Sequence, residues 1–162
     1  MSPTEPIPVA AGDLHWFDGF LLKVLLPAAD TGGQLSVCEQ RHPAGYGTPV
    51  HVHHREDQTL HVVDGQITAW LDPHGDAAER TVVTGESIFL PRDVPHAFRV
   101  ETEGTRVLEI NTPGGFEGFH IEAGEPAPED RIPDPSPPDI DTLVEVAARY
   151  DCEVTGPPVG RG

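Results

Sequence analysis

The sequence predicts an all-β barrel or sandwich closed by a single C-terminal α-helix. Two observations carry this. Between Leu14 and about Pro113 the chain alternates short runs rich in Val, Ile, Thr, Phe and Trp with Gly, Pro or Asp punctuation, the pattern of many short strands. After residue 138 the spacing changes to a helical one. At 162 residues the chain suits one domain of ordinary size, which needs no disulfides to fold.

Taken in order, residues 1–12 hold three Pro and no period, and read as a loose lead-in. The strand-like runs are Leu14–Leu26, Leu35–Gln40, Val50–His53, Thr59–Val63, Gln66–Leu71, Thr81–Val83, Ser87–Leu90, Ala97–Val100 and Thr105–Asn111. They place the barrel at 13–120. Asp64-Gly65 is expected to make a tight hairpin, because both residues tolerate positive φ. Residues 121–138 form a Pro-rich linker; six of the thirteen residues from Pro126 to Pro138 are Pro, which stiffens an extended chain. In the helix expected over 139–151, Ile140, Leu143, Val144, Ala147 and Tyr150 share one face, and Asp139 or Asp141 can cap the exposed N–H groups. The tail is 152–162, and Gly156–Gly162 is expected to be mobile.

Acids outnumber bases 27 to 10, for a formal charge of −17. Nucleic acids and anionic membranes need a basic face, so neither is an expected partner. A neutral or cationic small molecule is. Two Cys make no disulfide framework, no apolar run approaches the roughly 18 residues of a membrane span, and the N-terminus lacks a basic start and apolar core. A cytoplasmic, reducing location is therefore expected.

Nine His is the unusual count, and five of them lie between His42 and His61. On a strand His51 and His53 point to the same side while Val52 points to the other. Two such imidazoles can take adjacent positions on one metal. His96, opening the run after the Pro91–Pro95 turn, is the candidate third ligand. Neutral imidazole suits a divalent transition metal, with Fe, Ni, Cu, Co, Mn and Zn all open.

The spacing resembles that of the cupin superfamily over roughly residues 14–113. Its first motif, G-x5-H-x-H-x3–4-E-x6-G, is matched by Gly45, His51, His53 and Gly65, with Gln58 at the Glu position. Its second, G-x5-P-x-G-x2-H-x3-N, is matched by Gly85, Pro91 and His96, with Asp93 where Gly is usual and Val100 where Asn is usual. The strings HVHHRED, PHAFRV, NTPGGFEGFH and AARYDCEVTGPP look like those of small quercetin 2,3-dioxygenase-like cupins. The resemblance implies a double-stranded β-helix, or jelly roll, with the metal ligands projecting into the barrel. It also suggests a homodimer, for which Leu14–Leu26 could serve as an edge strand.

In dioxygenase-type cupins the motif Glu binds the metal and is proposed to take a proton from the substrate. Gln58 can offer an amide oxygen to a metal but is no base at neutral pH. A unit charge about 4 Å away is worth about 4 kcal/mol at an effective dielectric near 20, so the exchange is chemically large. It shifts weight from oxygen activation toward Lewis-acid chemistry. Asp57 is the alternative ligand under the shorter spacing. His61, of opposite parity to Gln58, is expected to pack on the other sheet face, or to act as a base in the cavity if the strand bulges. His54 is expected to face away from the metal, and His15, His42, His74 and His120 to lie on the surface.

Strand parity sends Leu60, Val62, Phe98 and Val100 inward. Trp70, Phe89, Phe116 and Phe119 could complete an apolar pocket for a small aromatic or polyketide-like molecule. The leading expectation is a metal-dependent, dioxygenase-like enzyme acting on an aromatic, enol-containing or flavonoid-like substrate. It has Gln58 and His61 as candidate catalytic groups. The rivals are a non-redox isomerase or cyclase of secondary metabolism, and a ligand-binding cupin without catalysis.

Overall fold

The computed structural model describes residues 4–9, 12–73, 75 and 78–160; His74 lies outside them. In chain order the strands are β1 (Leu14–Phe17), β2 (Phe20–Leu26), β3 (Ser36–His42), β4 (Pro49–His53), β5 (Asp57–Asp64), β6 (Gln66–Leu71), β7 (Ala78–Val83), β8 (Ser87–Leu90), β9 (His96–Val100) and β10 (Thr105–Thr112). Helix α1 (Glu117–Ala123), the short β11 (Glu125–Pro126), α2 (Ile140–Arg149) and β12 (Cys152–Pro158) follow. The strands form two antiparallel sheets, ordered β11-β1-β2-β3-β10-β5-β8 and β12-β4-β9-β6-β7. The fold is an all-β jelly-roll barrel; among the described residues its α-helices lie in the C-terminal third, and a short 3-10 turn spans Ala28–Asp30. No helix among the described residues is long and apolar enough to cross a membrane.

Period-two burial organises the sheets. In β3, Ser36, Cys38, Gln40 and His42 point inward while Glu39 and Arg41 face out. In β10 the inward set is Thr105, Val107, Glu109 and Asn111, and Arg106 lies outside on Glu39. The barrel core packs Leu60, Val62, Ile67, Ala69, Phe98 and Val107 at one end. At the other, Phe17, Phe20 and Val24 meet Phe116 and Phe119 of the α1 segment and Val146 and Ala147 of α2.

Three local expectations are corrected. The Asp-Gly hairpin is at Asp18-Gly19, with φ of 46° and 86°, and it splits the Leu14–Leu26 run into β1 and β2. Both strands are flanked within the sheet, so that run offers no free edge. Gly65 instead turns a corner between sheets, since β5 and β6 do not pair. Its φ is +110°, and a Cβ there would lie 2.3 Å from Thr105 Oγ1, so only glycine fits. Finally, most of the tail is β12, paired with β4.

Helix α2 begins where expected: Asp139 accepts a hydrogen bond from the Thr142 backbone N–H at 3.1 Å. Its buried face is shifted from the expected one. Val146 and Ala147 are buried with Leu143 and Tyr150 packed beside them, whereas Ile140 and Val144 are exposed.

Candidate metal centre

Strands β4 and β9 pair so that His51 lies directly opposite His96, and His53 follows two residues along the same face. One ring nitrogen from each of His51, His53 and His96 falls within 4.8 Å of the others. His51 Nδ1 hydrogen-bonds the Pro49 carbonyl at 2.7 Å, leaving Nε2 free for a metal. His53 Nδ1 bonds Glu56 Oε1 at 2.8 Å, and its Nε2 is buried without a partner. His96 Nε2 is likewise buried and unpartnered. Buried imidazole nitrogens without partners are costly unless a ligand completes them. Burial also holds all three rings neutral, with His51 pushed down to about 3, His53 to about 4 and His96 well below its ordinary value. Neutral, converging imidazoles are the donor set that a divalent transition metal requires.

Local sequence explains the placement. Asp93, at the usual Gly position, has φ of +65°, a conformation Asp adopts more readily than most residues. Its backbone N–H donates to the His53 carbonyl at 2.8 Å, tying the turn before His96 to the end of β4. The Asp93 carboxylate and Glu153 meet His54, which therefore points outward as expected.

His51, alone of the three, lines a cavity of about 70 Å³. Phe98, Phe116 and Phe119 line it, together with His51, Gln58, Gln40 and Glu109. Gln58 is 3% exposed, and its Nε2 donates to Asn111 Oδ1 at 3.1 Å. Asp57 points away and pairs with Arg92 at 3.2 Å.

Other expected site residues lie elsewhere. Leu60 and Val62 point inward but pack in the barrel core beyond the cavity. Trp70 sits on the opposite face of β6, with the Arg99 guanidinium 5.2 Å from its ring and its indole N–H on Glu79. Phe89 is 58% exposed. His61 takes the outer face of β5, where Nδ1 meets Ser87 Oγ at 2.8 Å; no bulge turns it inward. His42 and His120 are not on the surface. His42 is fully buried against Phe20 and Tyr46, and His120 is buried among Phe17, Phe116 and Phe119. His15 is half-buried within β1 rather than on the surface.

Four buried residues escaped the sequence reading: Glu56, Glu109, Gln40 and Asn111. Glu56 was detectable as a carboxylate three residues after His53. The other three share strand parity with recognisable core residues.

A small antiparallel β-barrel holding three converging His, one of them lining an apolar cavity, defines a jelly roll with a candidate metal centre. Comparison with known proteins agrees. Residues 39–111 match the family model of the Cupin domain. The quercetin 2,3-dioxygenase of Bacillus subtilis (strain 168) is 26% identical over 106 residues, which cover 65% of this chain and 30% of that protein. The chain therefore spans under a third of that relative's length. An RmlC-like cupin from Shewanella frigidimarina superimposes with a TM-score of 0.55 at 20% identity, covering 73% of this chain and 99% of that one. KdgF from Halomonas sp. gives 0.54 at 19% identity, covering 62% and 84%. The family match covers under half of this chain, and the solved structures show that the fold is the cupin barrel.

Proposed function

We propose that the protein is a metal-dependent cupin enzyme acting on a small aromatic or enol-containing molecule. The observation that carries this is the convergence of three neutral imidazoles, two with buried, unpartnered Nε2 atoms and the third, His51, at the wall of an aromatic-lined cavity. His51, His53 and His96 would hold the metal, with the Gln58 amide oxygen as a fourth donor. A bound divalent metal supplies Lewis acidity toward a carbonyl or enol oxygen and, if redox-active, a route to O2. Phe98, Phe116 and Phe119 would seat the substrate and exclude water.

The resemblance to quercetin 2,3-dioxygenase favours oxygenation. Cavity size narrows the substrate. About 70 Å³ is less than the roughly 150 Å³ that accepts benzene. A flavonoid-sized molecule exceeds this volume, and smaller enols fit more readily.

A second reading, a non-redox isomerase or cyclase, is favoured by Gln58 itself. Its amide is tied to Asn111, so the position contributes no negative charge. Metal analysis of the purified protein, followed by turnover of diketone, enol and flavonol substrates with and without O2, separates the readings. Oxygen uptake supports the dioxygenase, and anaerobic turnover supports the isomerase. An apo protein that His51→Ala does not alter overturns both.

A further inference from the structure

Glu109 is a buried carboxylate with an unusual set of partners. It is 4% exposed and lines the cavity. Oε1 accepts from Asn111 Nδ2 at 2.9 Å, and Oε2 accepts from Gln40 Nε2 at 2.5 Å. Gln40 Oε1 in turn accepts from His42 Nε2 at 2.8 Å, while Asn111 Oδ1 accepts from Gln58 Nε2 at 3.1 Å. Five side chains from β3, β10 and β5 thus form one hydrogen-bonded line across the inner face of the larger sheet. Glu109 is its only acid. Both neighbouring amides donate to it, which suits a carboxylate and fixes its orientation.

A structural carboxylate at this depth is expected to have an Arg or Lys beside it. Among the described residues no ion pair engages Glu109. The groups near enough to interact with its charge are His51 and His53 of β4, Cys38 of β3, Tyr46 and Cys152. All are neutral in this setting, and His42 reaches it only through Gln40. Burial pushes the Glu109 carboxyl above its ordinary value while the Asn111 and Gln40 amides pull it back, and the group faces the cavity lined by His51. A second cavity carboxylate, Asp18, lies in the β1–β2 turn and is occupied by the Tyr46 hydroxyl.

We propose that Glu109 is the catalytic base, taking a proton from a weakly acidic ligand seated between it and the metal-binding histidines. This rests on the metal-centre reading above. The ligand class is an enol, a phenol, or a carbon acid next to a carbonyl. The ligand's O–H or C–H bond breaks, its electron pair stays on the ligand as the enolate or phenolate, and the proton goes to a Glu109 carboxylate oxygen. The resulting acid can return the proton when the reaction ends. No oxidant enters this step, so it serves oxygenation and isomerisation alike. It also supplies the proton transfer that Gln58 cannot perform.

The test uses zinc-loaded protein and 4-nitrocatechol, whose visible absorption reports loss of its proton. Difference infrared spectra follow the carboxyl groups. Wild type is expected to bind the probe as phenolate below the probe's solution pKa, with a protonated-carboxyl band appearing on binding. In Glu109→Gln that band disappears and ionisation of the bound probe moves up by about one pH unit, a tenfold weaker proton transfer. Glu109→Asp, which keeps the acid should the amide variant fold poorly, recovers the band. Unchanged ionisation in zinc-loaded Glu109→Gln, or no carboxyl band in wild type, overturns the role of Glu109 alone. A wild type that takes up neither zinc nor probe overturns the metal-centre reading and this proposal with it.

Discussion

His53 Nδ1 and Glu56 Oε1 lie 2.8 Å apart inside the barrel, with the two side chains 1% and 2% exposed. An ionised Glu56 accepts the Nδ1–H and so fixes the tautomer in which Nε2 offers its lone pair. Carboxylate partners of this kind orient ligand imidazoles and raise their basicity. Burial pushes the Glu56 carboxyl up to about 7, with the charges of Arg55 and Arg92 pulling the other way. Glu56→Gln is expected to weaken Zn(II) or Ni(II) affinity by about tenfold or more. Competition against a chelating dye measures this, and unchanged affinity would reduce Glu56 to a structural residue of the β4–β5 turn.

Gln58→Glu should have opposite effects on metal-free and metal-loaded protein. Asn111 donates its Nδ2 to Glu109 and accepts from Gln58 through Oδ1. A carboxylate at position 58 would face that oxygen with no donor between them. The apo protein should lose about 1–3 kcal/mol, the usual cost of an unsatisfied buried acceptor. The added negative charge should tighten divalent metal binding. Thermal melts with and without metal would show the crossover, and its absence would place position 58 outside the metal's reach.

Acid sensitivity should be built into the core. Burial pushes His42 and His120 down to about 3 from an ordinary value of 6.5. As pH falls below 6.5 the unfolded chain takes up protons that the native state refuses. The stability from these groups is full above 6.5 and drains away as pH falls toward 3. Each contributes up to about 1.4 kcal/mol per pH unit in that window. His120→Phe, packed among Phe17, Phe116 and Phe119, should flatten the slope of melting temperature against pH below 6.5. An unaltered slope would assign the acid response to other groups.

Gly118→Ala should loosen the cover of the cavity. A Cβ at Gly118 would lie 2.7 Å from the Tyr150 ring, which docks the end of α2 against α1. Overpacking of this order costs about 1–3 kcal/mol. Lower thermal stability should accompany faster hydrogen exchange in α2. Wild-type exchange in α2 would show that Tyr150 simply rotates aside.

Much of the centre was legible because strand parity is a strict rule. Period two puts His51 and His53 on one face, and the Pro-bounded turn delivers His96 opposite them. Parity misled where the barrel interior is polar. In β10 the apolar Leu108 and Ile110 invite an inward assignment, yet Arg106 shares their face, and the inward line runs through Val107, Glu109 and Asn111. The same inversion hid Gln40 and His42 in β3, where Glu39 and Arg41 mark the outside. Contacts distant in sequence left no periodic trace at all. Nothing in Cys152–Pro158 announces pairing with β4, and nothing in His120 distinguishes a buried ring from a solvated one.

The pairing of β12 with β4 sets Cys152 beside His53 and Val154 beside His51. The strand carrying two candidate ligands therefore has, as its outer neighbour, a segment reached only after the Pro-rich connector and α2. The smallest portable version of this centre is not the stretch from 39 to 111 that the family shares. Grafting that stretch alone would leave the β4 backbone bare along one side and the aromatic chamber without its roof. A transplant, or an affinity tag fused close behind Pro158, has to treat β12 as part of the candidate metal centre.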